Sequence, residues 1–214
     1  MVKLDILSDP ICPWCYIGKT NLDRALEKFP DHPFTVEWHP FQLNPDMPPE
    51  GMDRRAYLEG KFGGKTGAVQ AYASVVTAAE AAGLSINFEG MQRTPNTIDA
   101  HRLIHWAGIE ARQSFVVQRL FEAYFRDARD IGAHDVLLDI ADSCGLDASV
   151  IGKLLASDAD IDDIRKRDVH SREMGISSVP TFIVANQHAV PGAQPTDMWV
   201  KVIGEIIEQI EATD

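Results

Sequence analysis

The sequence predicts an α/β protein: a small mixed sheet with flanking helices, interrupted by a large all-helical block. Three observations predict it. Strand-like alternation of apolar and polar residues occurs near both ends of the 214-residue chain. Between those ends, about 110 to 120 residues carry helical stripes only. A helix with a continuous apolar stripe then closes the chain.

Each element has a local reason. Residues 2–7 alternate as Val-Lys-Leu-Asp-Ile-Leu and read as a strand, which Ser8, Asp9 and Pro10 end. A helix opens at Trp14 or Cys15, with Leu22, Ala25, Leu26 and Phe29 at i, i+3, i+4 and i+7 and Pro30 just beyond. Residues 34–39 alternate again as a second strand. Pro40, Pro45, Pro48 and Pro49 make residues 40–52 an irregular connection. Helical stripes follow over residues 57–62, 69–82, 97–107, 113–127, 135–144 and 148–156, punctuated by Gly83, Gly108, Gly132 and Gly145. Residues 160–174 form one more helix, acidic at its start and basic later, with Gly175 as its stop. Residues 181–185 are a buried strand, and Asn186 and Gln187 turn the chain into residues 188–190. Thr196 is the expected N-cap of the last helix, whose stripe is Trp199, Val202, Ile203, Ile206, Ile207 and Ile210. Residues 1–52 and 173–214 are thus expected to form one discontinuous domain, and residues 53–172 a helical insertion.

Composition narrows the function. Hydrophobic residues make up 45% and charged residues 24%, as in a globular protein with a sizeable core. The 32 acidic against 20 basic residues leave a net charge of -12, which repels phosphate backbones and anionic lipid. Nucleic acid and membrane are therefore not expected partners. No apolar run exceeds four residues, and Asp5 stands where a signal peptide needs its apolar centre, so a cytoplasmic protein is expected. Structural disulfides are rare in a reducing cytosol, so a close cysteine pair there points to redox chemistry or metal.

Cys12-Pro13-Trp14-Cys15 is such a pair, set between a strand and the first turn of a helix. A thiolate is the nucleophile of disulfide exchange, and the positive end of a helix lowers the pKa of the first cysteine. Two intervening residues bring the second sulfur within reach. Pro13 has no N–H to lose at a helix start. Trp14 is expected to be exposed, on a surface that touches a partner. The alternatives are half of a zinc site or two incidental thiols. Structural zinc needs four ligands, and the only further cysteine is Cys144, so no metal is expected. A second feature is Val179-Pro180-Thr181. Proline directly before a strand cannot sit centrally in a ladder, and a cis bond is one explanation.

The Cys-x-x-Cys after the first strand, with Val-Pro-Thr before a late strand, resembles the thioredoxin superfamily. The helical block between the two halves resembles its DsbA-like branch. The cytosolic FrnE-like group within that branch is resembled by four stretches: residues 8–18 (Ser-Asp-Pro-Ile-Cys-Pro-Trp-Cys-Tyr-Ile-Gly), residues 40–46 (Pro-Phe-Gln-Leu-Asn-Pro-Asp), Asn96 and Thr97 with residues 100–103 (Ala-His-Arg-Leu), and residues 192–195 (Gly-Ala-Gln-Pro). The resemblance implies an α/β, thioredoxin-like fold with a large inserted all-helical domain. It implies Cys12 as the attacking and Cys15 as the resolving cysteine, and Pro180 as a cis-proline facing them. It also implies that Val179 offers backbone groups to an extended substrate, beside Pro13, Trp14 and Thr181.

Other residues read more plainly. His101 and His105 share a helix face without the glutamate of a metalloprotease, and packing accounts for them. Cys144 reads as a small buried hydrophobe. Asp158, Asp160, Asp162 and Asp163 read as a solvated helix start, and His39 as strand-end packing. The expected function is a thiol–disulfide oxidoreductase acting on protein or small-molecule disulfides, glutathione among the candidates. No cofactor is implied, because the electrons reside on the two sulfurs. The rivals are a glutathione-dependent transferase or isomerase of the kappa-class or hydroxychromene-carboxylate isomerase type, which presents serine where Cys12 stands, and a peptide-holding, chaperone-like module. Physiological substrate, direction of electron flow and oligomeric state stay open.

Overall fold

The computed structural model describes residues 1–212. Strand β1 (Val2–Ser8) leads through helix α1 (Pro13–Leu26) to β2 (Phe34–Pro40). Near the far end come β5 (Thr181–Val184), β6 (His188–Pro191) and the closing helix α9 (Thr196–Glu211). These strands form one mixed sheet in the order β2-β1-β5-β6, with β1 parallel to β2 and antiparallel to β5. The expected mixed sheet from the two chain ends is therefore present.

Register explains the two faces of the sheet. Ile6 lies opposite Phe182, and Phe182 meets Trp199 of α9 edge-on with ring centroids 4.8 Å apart. Leu4, Ile6, Phe182 and Trp199 are all essentially inaccessible to solvent. Asp5 lies opposite Glu37, on the other face, and His39 follows two residues later on that face. Residues Ala185 and Asn186 both have positive φ, as a type I′ turn between β5 and β6 demands.

The central block holds β3 (Met52–Asp53), α2 (Arg54–Lys61), α3 (Lys65–Ala81), β4 (Arg93–Thr94), α4 (Ile98–Ile109), α5 (Gln113–Phe121), α6 (His134–Ser143), α7 (Ala148–Leu155) and α8 (Ile161–Glu173). Its core, which includes Leu103, Val116, Leu120, Phe121, Phe125 and Leu137, is continuous with that of the sheet.

Several expectations need correction. Helix α1 begins at Pro13, because Cys12 itself is the N-cap residue. Thr196 is not an N-cap: Pro195 takes that position, and the Thr196 hydroxyl donates to the Asn21 carbonyl at 3.2 Å. Gly108 lies inside α4 rather than ending it. The stripe read as one helix over residues 113–127 is α5 followed by a π-helical turn, Glu122–Arg126, which periodicity at 3.6 residues cannot register. The β3–β4 ribbon was not anticipated, since two-residue strands carry no period.

Candidate active site

Cys12 sits ahead of the first turn of α1 in an extended conformation, with φ -88° and ψ 114°. Its carbonyl accepts the N–H groups of Cys15 at 3.1 Å and Tyr16 at 3.3 Å, which starts the helix. The geometry follows from Pro13, whose fixed φ suits a helix start and whose missing N–H costs nothing there. Tyr16 anchors the helix below by stacking on Phe121 and Phe125 at 5.2 and 5.7 Å.

Both thiols are free, and both are buried. The Cys12 thiol donates to the Val179 carbonyl, with 3.6 Å between sulfur and oxygen. Burial pushes the Cys15 thiol well above its ordinary value, and the neighbouring Cys12 sulfur pushes it further. The Val179–Pro180 peptide is cis. The ring of Pro180 lies over Gly18 of α1, where a Cβ would come within 3.0 Å of it. Thr181 is buried, and its hydroxyl donates to the Ser178 carbonyl at 2.8 Å. It thereby closes the turn that carries Val179 and Pro180 towards the sulfurs.

Five of the residues singled out in the sequence, Cys12, Pro13, Cys15, Val179 and Pro180, converge here, and Thr181 braces them. Trp14 differs from expectation. It is half-buried, packed against Ile17 and Val75 of a small second cluster, because α3 lies alongside α1. Cys144 is also different. It is half-buried at the end of α6 rather than buried, although that burial still raises its pKa. His39, read as strand-end packing, stands near the end of β2 in a polar network. Its Nε2 lies 2.6 Å from Asp5, and its Nδ1 faces an Arg167 guanidinium nitrogen at 3.2 Å. Arg167 also reaches His105 Nδ1 at 3.0 Å. Asp160 is not merely solvated, since it accepts from Trp106 Nε1 at 2.8 Å.

A buried acid beneath the cysteine loop was missed. Asp9 is fully buried, and its carboxylate accepts from Leu43 N–H at 2.7 Å and Ile11 N–H at 3.3 Å. Burial raises its pKa to about 7 despite those bonds. His101 Nε2 stands 3.9 Å from it and has no hydrogen-bond partner, and burial lowers the His101 pKa to about 4. Both residues lie in the stretches that carried the family resemblance. Their contact crosses from loop to helix, and no spacing along the chain encodes it. Arg54, Tyr72 and Tyr124 were missed as well, because each reads alone as an ordinary helix residue.

Asp5, Glu37 and His39 are the one group of potential metal ligands found among the described residues. Lys3 Nζ lies 3.0 Å from both carboxylates and already offsets one of their two charges. A cavity of about 1390 Å³ is lined by Asp5, His39, His105, Phe115, Arg167 and Met174 among others, and the cysteines are not among its lining residues.

Residues 3–204 match the DSBA-like thioredoxin domain. The chain belongs to this family. Among solved structures, a probable DsbA oxidoreductase from Streptomyces coelicolor is 27% identical with a TM-score of 0.84, over 96% of this chain and 89% of that one. A 2-hydroxychromene-2-carboxylate isomerase shares the fold at 15% identity and a TM-score of 0.75, over 99% of each chain. The cytosolic disulfide reductase DsbM from Pseudomonas aeruginosa, solved with GSH, shares it at 18% identity and 0.72, over 96% of this chain and 99% of that one. Among the described residues no helix is long and apolar enough to cross a membrane.

Proposed function

We propose that this chain is a thiol–disulfide oxidoreductase in which Cys12 attacks and Cys15 resolves. The observation that carries the reading is the unequal environment of the two thiols. Cys12 stands at the start of α1 with its sulfur against the Val179 carbonyl, whereas Cys15 is sealed beneath it with a raised pKa. The Cys12 thiolate attacks one sulfur of a substrate disulfide, forming a Cys12–substrate bond and releasing the other half as a thiolate. Cys15 then gives up its proton and attacks the Cys12 sulfur, and the bound half leaves as a thiol, with Cys12–Cys15 now oxidised. The reverse sequence oxidises a substrate dithiol.

Val179, Pro180 and Thr181 form the edge against which a substrate backbone lies, with Pro13 and Trp14 flanking the sulfur. Residues 1–52 and 173–214 act as the thioredoxin-like domain that holds the sulfurs, and residues 53–172 as the insertion that closes over them. The protein works in the cytoplasm on protein or small-molecule disulfides, as a member of the FrnE-like group. The cytosolic, GSH-bound neighbour supports the cytoplasmic and small-molecule parts of this reading, and the four stretches of sequence resemblance its FrnE-like part.

The likeness to a hydroxychromene-carboxylate isomerase gives a second reading, a glutathione-dependent isomerase or transferase. One experiment separates the two. Cys12→Ser is expected to abolish disulfide reduction of insulin, and Cys15→Ser to accumulate a stable mixed disulfide on Cys12, detected by mass. If Cys12→Ser keeps a glutathione-dependent activity and Cys15→Ser traps nothing, the second reading replaces the first. A peptide-holding module would prevent aggregation equally well without either thiol.

A further inference from the structure

Arg54 is a buried cation without a counter-ion. It is 6% exposed, and among the described residues no carboxylate lies within 4.0 Å of it. Its guanidinium donates only to phenols, to Tyr124 at 2.7 Å and to Tyr72 at 2.6 Å, and it lies over both rings at 5.7 and 5.5 Å. Arginine cannot shed its proton to escape burial, and ring faces offset only part of the desolvation. Such a charge is placed to meet an anion.

Asp53 and Glu59 line the cleft that Arg54 borders on one side, but neither pairs with it, and on the other side the neighbouring groups are donors. Helix α2 lines up Arg54, Tyr57 and Lys61 at i, i+3 and i+7 on one face. Lys61 donates to the Tyr57 hydroxyl at 2.6 Å, and Tyr57 donates to Asn44 Oδ1 at 2.9 Å. The Asn44 Nδ2 is buried without a partner. Tyr72 accepts from Arg54, which leaves its own hydroxyl hydrogen to donate onward.

Two links place this wall at the cysteines. Tyr72 is one turn from Val75 on α3, and Val75 belongs to the cluster on which Trp14 packs. Tyr124, which accepts from Arg54, meets Phe125 edge-on at 5.0 Å, and Phe125 stacks at 5.7 Å on Tyr16, whose N–H donates to the Cys12 carbonyl at 3.3 Å. A chain of net charge -12 repels an anion at long range, so capture of one needs a local cation.

We propose that Arg54, acting with the Tyr72 hydroxyl, is a carboxylate-receiving subsite that selects small acidic thiols and their disulfides as substrates for Cys12. This rests on the oxidoreductase reading above. In the direction tested, a thiolate attacks the Cys12–Cys15 disulfide at Cys12, giving a mixed disulfide and a Cys15 thiol. A second thiolate attacks the sulfur of the bound thiol, releasing a small disulfide and the Cys12 thiol. Two thiols are oxidised and one protein disulfide is reduced.

The experiment measures second-order reduction of the oxidised protein by glutathione and by glutathione diethyl ester. Net charge alone favours the ester. With the subsite, wild type is expected to react at least about tenfold faster with glutathione, the scale of a hydrogen bond to a charged group. That preference is expected to vanish in Arg54→Gln, to recover in part in Arg54→Lys, and to shrink in Tyr72→Phe, which removes one hydroxyl and carries the test if Arg54→Gln does not fold. A wild type that prefers the ester, or a preference that survives both Arg54→Gln and Tyr72→Phe, overturns the subsite and leaves the redox reading standing. A wild type reduced by dithiothreitol but by neither glutathione form overturns the subsite alone, and one whose Cys12 and Cys15 exchange with neither dithiothreitol nor insulin overturns both.

Discussion

The side-chain amide of Gln113 pairs with both backbone groups of Trp38: Oε1 accepts the Trp38 N–H at 3.0 Å, and Nε2 donates to the Trp38 carbonyl at 3.3 Å. Strand β2 is an edge of the sheet, and an open edge invites pairing with another chain. Here a single glutamine from α5 stands in for the missing strand. Gln113→Leu is expected to cost about 1 to 3 kcal/mol in chemical denaturation and to increase self-association in light scattering. Unchanged stability and no association would show that the pairing does nothing.

Gly18 decides how close α1 approaches Pro180. A Cβ there would stand 3.0 Å from the Pro180 Cγ and 3.3 Å from Phe182, so a larger side chain must push the proline away. Gly18→Val is expected to destabilise the protein by about 1 to 3 kcal/mol and to slow disulfide exchange. Exchange at the wild-type rate would show that this spacing is not required.

Asp9 and His101 shift in opposite directions, and their effects on stability oppose each other. Asp9 titrates near 7 when folded and in the usual carboxylate range when unfolded, so its contribution is full below about pH 4 and is lost as pH rises to 7. His101 titrates near 4 when folded, so its contribution is present above about pH 6.5 and is lost as pH falls to 4. Between those limits the two slopes, each about 1.4 kcal/mol per pH unit, nearly cancel. Relative to wild type, Asp9→Asn is therefore expected to gain stability as pH rises from 4 to 7, and His101→Gln to gain as pH falls from 6.5 to 4. Denaturant titrations across this range read both slopes, and parallel pH profiles for all three proteins would refute the pairing.

Cys144 lies at the end of α6 with a raised pKa. A less ionised thiol is a poorer nucleophile. Cys144→Ala is expected to leave exchange rates unchanged and stability within about 0.5 to 1 kcal/mol of wild type. A disulfide that includes Cys144 in the oxidised protein would contradict this.

Much of the fold could be read in advance because its signals are local. Residues 2–7 and 34–39 alternate at period two, and they are β1 and β2 within a residue at each end. The stripe from Trp199 to Ile207 is the side of α9 that packs on the core, where Trp199 and Ile203 have no exposed surface, whereas Ile210, expected in the stripe, is exposed. The cysteine pair was legible for the same reason, since four consecutive residues carry it. Trp14 was misjudged because its burial depends on α3, whose approach to α1 follows from packing of Ile17 against Val75 and Ala79.

The sequence by itself determined the four strands of the main sheet, most of the helices, the acidic net charge and the two sulfurs at a helix start. Each of these depends on neighbours within a turn or a strand, or on a sum over the whole chain. The tertiary structure alone decided that Val179 meets Cys12 across 167 positions, that His101 faces Asp9 in a dry interior, and that Arg54 is buried between two phenols. Such contacts are fixed by how helices pack on the sheet, and it is the removal of water at those contacts that displaces the pKa values of Cys15, Asp9 and His101.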